Sequence, residues 1–428
     1  MQTRFLVAVL ALCATACSTP EHNSDRPDAV LMVGSSEENA LYRKRFAALR
    51  DRTGATGLSR YDPLKPVPGA QVVAPLPSAA SSIDEAALTS VRRYAAAMNS
   101  SAVMIWHNGA LIEQTFFSDV DEDTLLVSKS LAKPLSVIAV GRAIEAGYIA
   151  SLDDSVSTYI REWHGTPKAK MTIRQLLGMR SGLLPQGAAP EVTDVLNRAY
   201  LHPRHDDVII NEYPLVDTPG ERYEYSNANG ELVAVVIERA TGVEYEDWVD
   251  TQVLKMLGAP GGQVWMNRPD GTAHSGCCWL LPAQSYLRLA ILLLDDGTHN
   301  GRRLLPEGFV SEMASGTVQN PHAGLGVYVA GRYIERRGPL HPDKNIGQNF
   351  HSEPYLADDL YLFDGNSNQV IYIIPSAELI VARLGDWPPR DPGWDNAFLP
   401  NTVIRGLPDE VQRSLRTQPI DGDMAAPL

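Results

Sequence analysis

Two residues three places apart carry the strongest chemical signal in this chain. In Val127-Ser128-Lys129-Ser130-Leu131-Ala132-Lys133, a helical backbone would put the Ser130 hydroxyl and the Lys133 amine on one face. A serine hydroxyl is a poor nucleophile until a neighbour takes its proton, and an uncharged lysine one turn on can do so. Free lysine titrates at about 10.4, so such a site must favour the neutral amine through burial or nearby positive charge. By itself the spacing also describes a serine and a lysine on a solvated helix face. Here the flanking residues are apolar, which suits a buried helix, and Ser130 is the only serine followed three places later by lysine. A second cluster, Tyr225-Ser226-Asn227, follows Pro219-Gly220. A tyrosine can pass a proton to a leaving group, and an asparagine amide can orient the lysine or the substrate. The same residues also read as a turn into a helix capped by Asn227 or Asn229.

These groups need elements to hold them. Residues 37–52 are charged and Ala-rich and suit a short helix, but organised structure is expected from about Ile83 onward. Asp84 can cap a helix reaching Met98. Residues 102–106 and 111–116 read as strands joined at Asn108-Gly109, a strong hairpin signal. Helices are expected over 135–146, 173–179, 230–240 and 282–294, with stops at Gly147, Ser181-Gly182, Thr241-Gly242 and Gly297. Short β-branched strands return at 370–374 and 379–384, and a last helix near 397–404. Strands at both ends around a helical middle imply one sheet closed by distant segments, an α/β-plus-α plan.

The order of these motifs resembles one family. Ser130-Leu131-Ala132-Lys133 is followed by Gly147, Leu152-Asp153-Asp154 and Thr172-Ile173-Arg174-Gln175-Leu176-Leu177-Gly178-Met179-Arg180-Ser181-Gly182-Leu183. Pro219-Gly220, Tyr225-Ser226-Asn227, Thr241-Gly242, Leu294-Asp295-Asp296-Gly297, Gly301 and Leu304-Leu305 come next. Over about residues 84–405 the chain resembles the serine β-lactamase-related family, which holds class C β-lactamases, D-alanyl-D-alanine peptidases, esterases and 6-aminohexanoate-dimer hydrolases. The resemblance implies an α/β, β-lactamase/transpeptidase-like fold: an antiparallel sheet with flanking helices plus an inserted, mainly helical region. It also implies that Ser130 attacks a carbonyl, Lys133 and Tyr225 move protons, Asn227 orients, and an acyl-enzyme forms. One oxyanion donor would be the Ser130 N–H and the second would come from an edge strand. Many relatives carry Lys-Thr-Gly there, whereas Phe363-Asp364-Gly365-Asn366 takes its place here. Gly365 would let the backbone approach a ligand and Asn366 would supply the N–H, while Asp364 is a poor match for a substrate carboxylate. Met179 stands where many relatives have histidine, nearer the aminohexanoate-dimer branch. Pro134 departs from the usual small polar residue. If the helix starts before Ser130, this proline would distort it.

Bulk properties agree with a globular chain: 44% hydrophobic and 21% charged residues suffice for a large core. A formal charge of −14 argues against a nucleic-acid partner, since phosphate binding needs clustered Lys and Arg. Arg4 precedes an apolar run over residues 5–12, too short for a bilayer span but long enough for a signal peptide. Ala14-Thr15-Ala16-Cys17 then resembles the lipobox of bacterial lipoproteins, with Cys17 as the lipidated first residue; plain secretory cleavage near Ala16 is the alternative. Ser18 next to it points to the outer membrane, facing the periplasm. The expected divisions are a signal over 1–16, a tether and lead-in over 17–80, the hydrolase domain over 81–410 and a tail over 411–428. Cys277 and Cys278 are adjacent, so an ordinary disulfide between them would be strained, and buried free thiols are expected. His202 and His205 flank Pro203 without a third ligand and read as surface loop. No metal or cofactor is implied. The sum is a membrane-tethered serine hydrolase acting on a small ester or amide. The runner-up is a cell-wall D,D-carboxypeptidase or weak β-lactamase. A non-catalytic envelope binding protein would need none of Ser130, Lys133 and Tyr225.

Overall fold

The computed structural model describes residues 34–48, 61–344 and 347–416, so Cys17 and the apolar leader lie outside the described residues. Helix α1 (Ser36–Ala48) and strand β1 (Leu64–Gly69) come first. Both belong to the folded body, which corrects the expectation that order begins near Ile83. Strand β1 pairs antiparallel with β5 (Pro260–Trp265). It tolerates Pro66 and Pro68 because it is the edge strand of its sheet. In α1, Tyr42 is buried with Leu201 and Trp265, and Arg45 donates to the carbonyls of Leu201, Asn267, Met266 and Asp62. A buried guanidinium spent on backbone carbonyls leaves no sequence pattern, which is why composition alone read this stretch as lead-in.

The main sheet has six strands in the order β3 (Ala110–Phe116), β2 (Ser100–His107), β10 (Leu379–Gly385), β9 (Gln369–Ile374), β8 (Tyr361–Gly365) and β7 (Tyr328–Val329). The β2–β10 pairing, with Ile105 opposite Val381, closes the sheet from the two ends of the domain as expected. Asn108 and Gly109 turn the hairpin with φ of 50° and 78°, the positive values its tight turn needs. Alternate residues of β2 serve two cores. Val103 and Ile105 pack under α2 (Glu85–Ala97) and α9 (Phe398–Arg405), while Ala102, Met104 and Trp106 face the larger core.

That larger core holds the inserted helices α3 (Ala132–Glu145), α4 (Ile173–Leu177), α5 (Val195–Leu201), α6 (His205–Asn211), α7 (Asn227–Thr241) and α8 (Ala283–Leu294). A capping box between Thr172 and Gln175 starts α4, and left-handed Gly242 ends α7. His202 and His205 are buried rather than on a surface loop, because the body of α1 and the loop after β5 cover them. The presumed tail also begins later than residue 411, since α10 (Asp409–Arg416) buries Leu415.

A second sheet, β1-β5-β6-β4, contains β6 (Trp279–Leu281) and β4 (Leu126–Val127). Strands of two and three residues are too short to show a period, so the sequence does not announce them. They matter because β4 runs directly into the Ser128-Lys129-Ser130 segment. The Ser128 N–H donates to the Trp279 carbonyl at 2.7 Å, and the Trp279 N–H donates to Ser128 Oγ at 2.9 Å. On the loop before β6, Cys277 and Cys278 are bonded to each other across a cis peptide, in a buried cluster with Val127 and Leu280. The expectation of free thiols is corrected.

Candidate active site

After β4 the chain passes through Lys129 at φ 48°, an unusual left-handed conformation for a side chain of this size. A single 3₁₀ turn, Lys129–Leu131, follows, and α3 starts at Ala132. Ser130 therefore sits on a sharp strand-to-helix turn, and Lys133 is the second residue of the helix. Pro134 falls in the first turn of α3, where its missing N–H would have had no helical partner. It distorts nothing. Lys129 Nζ is held by the Tyr61 hydroxyl at 2.6 Å.

The expected trio meets. Ser130 Oγ lies 2.9 Å from the Tyr225 hydroxyl and 3.2 Å from Lys133 Nζ. Lys133 is 5% exposed, and its Nζ also donates to Asn227 Oδ1 and to the Gly276 carbonyl, each at 2.9 Å. This arrangement has a chemical meaning. A neutral amine would give its two N–H groups to the Asn227 and Gly276 oxygens and turn its lone pair on Ser130 Oγ. The Tyr225 hydroxyl, which also meets Ser130 Oγ, can shuttle the proton onward.

Asn227 is the first residue of α7, and its N–H donates to Gln186 Oε1 at 3.1 Å. The cap position belongs to Ser226, so neither Asn227 nor Asn229 caps this helix. Asn229 instead accepts from Ser181 Oγ at 2.7 Å, tying the Ser181-Gly182 turn to α7. Sequence reasoning missed Gly276 and Gln186. A carbonyl acceptor can come from any residue, so only the fold reveals it.

The β8 strand passes close to the nucleophile turn. A Cβ on Gly365 would stand 3.2 Å from the Ser128 carbonyl oxygen and 3.3 Å from the Leu131 nitrogen. Gln369, on the neighbouring β9, donates from Nε2 to the Val127 carbonyl at 2.9 Å and ties the sheet to β4 just ahead of the turn. Strand β7 covers β8 only at Tyr361 and Leu362, so the Gly365 end stays open. Ser130, Tyr225, Asn227, Gly365 and Asn366 all line one cavity of about 820 Å³. Asp364 lines it too, accepting from Asn349 Nδ2 at 2.7 Å. Burial pushes its carboxyl up to about 7, against the opposing pull of Arg337 and the Asn349 bond.

Close packing behind the lysine offers a test. A Cβ on Gly230 would lie 2.8 Å from Gly276 Cα and 3.3 Å from Lys133 Cε. Gly230→Ala must therefore push the Gly276 loop or Lys133 aside. Overpacking of this kind costs about 1–3 kcal/mol, so a lower melting temperature is expected together with roughly tenfold or greater loss of turnover. Calorimetry and ester hydrolysis on the same preparation check both.

The Beta-lactamase family model matches residues 88–397. The 6-aminohexanoate-dimer hydrolase of Paenarthrobacter ureafaciens is 23% identical over 392 residues, covering 88% of this chain and 94% of that protein. A solved structure from Bacillus anthracis, provisionally described as a 6-aminohexanoate-dimer hydrolase, superposes with a TM-score of 0.64 at 18% identity, over 91% of this chain and 97% of that one. A class C β-lactamase from Rhodobacter sphaeroides gives a TM-score of 0.53 at 20% identity, over 74% and 96%. Both structures share this fold.

Proposed function

The chain belongs to the β-lactamase family and is a serine hydrolase, and from that premise we propose that it cleaves small esters or amides through an acyl-enzyme on Ser130. The observation that carries this reading is the Ser130–Lys133–Tyr225 cluster, closed on the protein side by Asn227 and Gly276 and open on the other to the cavity. In the acylation step Ser130 Oγ attacks the substrate carbonyl while Lys133 takes its proton. The Ser130 N–H and a backbone N–H at Gly365 or Asn366 would hold the oxyanion. Tyr225 then delivers a proton to the departing alcohol or amine, and water releases the acyl group by the reverse route. A panel of short acyl esters, linear amides and β-lactams, followed by intact mass, tests it: a transient adduct on the chain is expected with at least one ester or amide. A panel without turnover or adduct would favour a binding role.

Linear amides enter the reading because a relative over most of both chains bears the name 6-aminohexanoate-dimer hydrolase. Export and anchoring rest on the leader alone. The lipobox-like Ala14-Thr15-Ala16-Cys17 supports lipidation of Cys17 in a bacterial envelope, with the domain facing the periplasm. Among the described residues no helix is long and apolar enough to cross a membrane. Wild-type protein expressed in a bacterial host should fractionate with membranes and carry a lipid mass at Cys17. Cys17→Ser should yield soluble or unprocessed protein whose hydrolase activity per molecule is unchanged. An unmodified Cys17 on mature protein would remove the anchor from this account.

A further inference from the structure

The fold brings together three buried side chains that the acyl-transfer machinery does not use. His205 opens α6, Glu231 lies in α7, and His274 sits on the loop between β5 and β6. His205 and His274 are 0% exposed and Glu231 1%. His205 Nε2 stands 3.6 Å from Glu231 Oε2, and His274 Nδ1 stands 3.3 Å from the same oxygen. One ligand atom from each residue lies within 4.8 Å of the others. Both nitrogens of each ring and both carboxylate oxygens lack a hydrogen-bond partner of normal geometry, although the Ser275 and Gly276 amides lean toward Glu231.

Buried polar atoms without a well-formed partner are costly, and buried polar groups nearly always have one. We infer that His205, Glu231 and His274 bind one divalent cation of the zinc class. Two imidazoles and a carboxylate, with no thiolate, are a donor set that zinc accepts with a fourth position left for water. Zinc ligands at about 2.0–2.1 Å in a tetrahedron stand roughly 3.3–3.4 Å apart. The two histidine–carboxylate separations are already close to that. His205 stacks on His274 at 4.3 Å and 12° between ring planes, and His274 on Trp265 at 3.7 Å. A metal bond lies in the ring plane, so a shared ion requires the two imidazoles to tilt out of this stack. The nearby Asp206 carboxylate would favour the ion, and the Arg45 guanidinium opposes it.

The site would also act on the catalytic centre as a positioning element. His274 is followed by Ser275 and Gly276. Ser275 Oγ donates to the Gly230 carbonyl, and Ser136 Oγ donates to the Ser275 carbonyl. Gly276 supplies the carbonyl that holds Lys133 Nζ at 2.9 Å. An ion on His274 and Glu231 therefore pins this loop from behind.

The test needs no substrate. Full-length protein purified without a metal-affinity tag is analysed for metal content, then stripped with a chelator and titrated with zinc, with the melting temperature as a second readout. About one zinc per chain, or a saturable rise in melting temperature on zinc addition, is expected in wild type, and both should be lost in His274→Gln and in Glu231→Gln. A cobalt-substituted sample should show the intense visible absorption of a tetrahedral site. No zinc retained, no heat of binding and no change in melting temperature in wild type would overturn the inference. So would the same zinc response in folded His274→Gln.

Discussion

Ser130→Ala should abolish covalent labelling by a fluorophosphonate and lower ester turnover by about 10³-fold or more, with the melting temperature nearly unchanged. The asymmetry follows from what the hydroxyl touches. Among the described residues Ser130 Oγ bonds Tyr225 and Lys133; Lys133 keeps Asn227 and Gly276, while the half-buried Tyr225 and Ser130 itself border the open cavity, where water can replace the lost bond. Removing it creates no buried unpaired group. Lys133→Ala should cost about 10²-fold or more, the usual scale of general acid–base assistance. That variant should also be less stable, because the Asn227 and Gly276 oxygens lose their shared donor. Tyr225→Phe keeps the ring that lies 4.9 Å from Lys133 Nζ and loses only the hydroxyl, so it isolates the proton relay from packing. Robust turnover by Ser130→Ala, with folding confirmed by circular dichroism, would remove the acyl-enzyme mechanism and return the binding-module reading.

That Ser130, Lys133 and Tyr225 would meet was legible in the sequence because each sits at or beside an element boundary. Ser130 and Lys133 straddle the start of α3, and Tyr225 and Asn227 the start of α7. Local spacing and turn residues mark such positions. The main sheet was legible through the apolar runs at residues 102–106, 370–374 and 379–382, buried on both faces within β2, β9 and β10. What escaped was long-range. The partners of Arg45 are carbonyls far along the chain, and His205 finds Glu231 and His274 only after two helices and a loop pack together. Spacing rules see ligands on one element, so a site assembled from three gives no motif.

Neutral short-chain aryl esters should be cleaved at least tenfold faster than nitrocefin, compared as kcat/KM on one preparation at pH 8. A β-lactam or a D-Ala-D-Ala substrate brings a carboxylate that must be desolvated and paired, and an unpaired buried charge costs several kcal/mol. The Lys-Thr-Gly expected at this strand from the family resemblance is absent, and Asp364 immediately precedes the close-packed Gly365. Arg336 and Arg390 also line the cavity, but both are exposed, and solvent screens an exposed charge strongly. Asp364 sits deeper, so its sign should decide. Its raised carboxyl gives the preference a pH signature. Above about 7 Asp364 is ionised and repels the anion; below about 7 it is protonated and does not. The ester-to-nitrocefin ratio should therefore fall as pH drops from about 8 to about 6, with a midpoint near the Asp364 value. Asp364→Asn should flatten that dependence, and Asp364→Lys should narrow the gap further by favouring anionic substrates. A tenfold advantage for nitrocefin, about 1.4 kcal/mol at the transition state, would mean that the strand does accept a carboxylate. A ratio that ignores both pH and the Asp364 substitutions would mean that its side chain serves Asn349 and the wall, not the substrate.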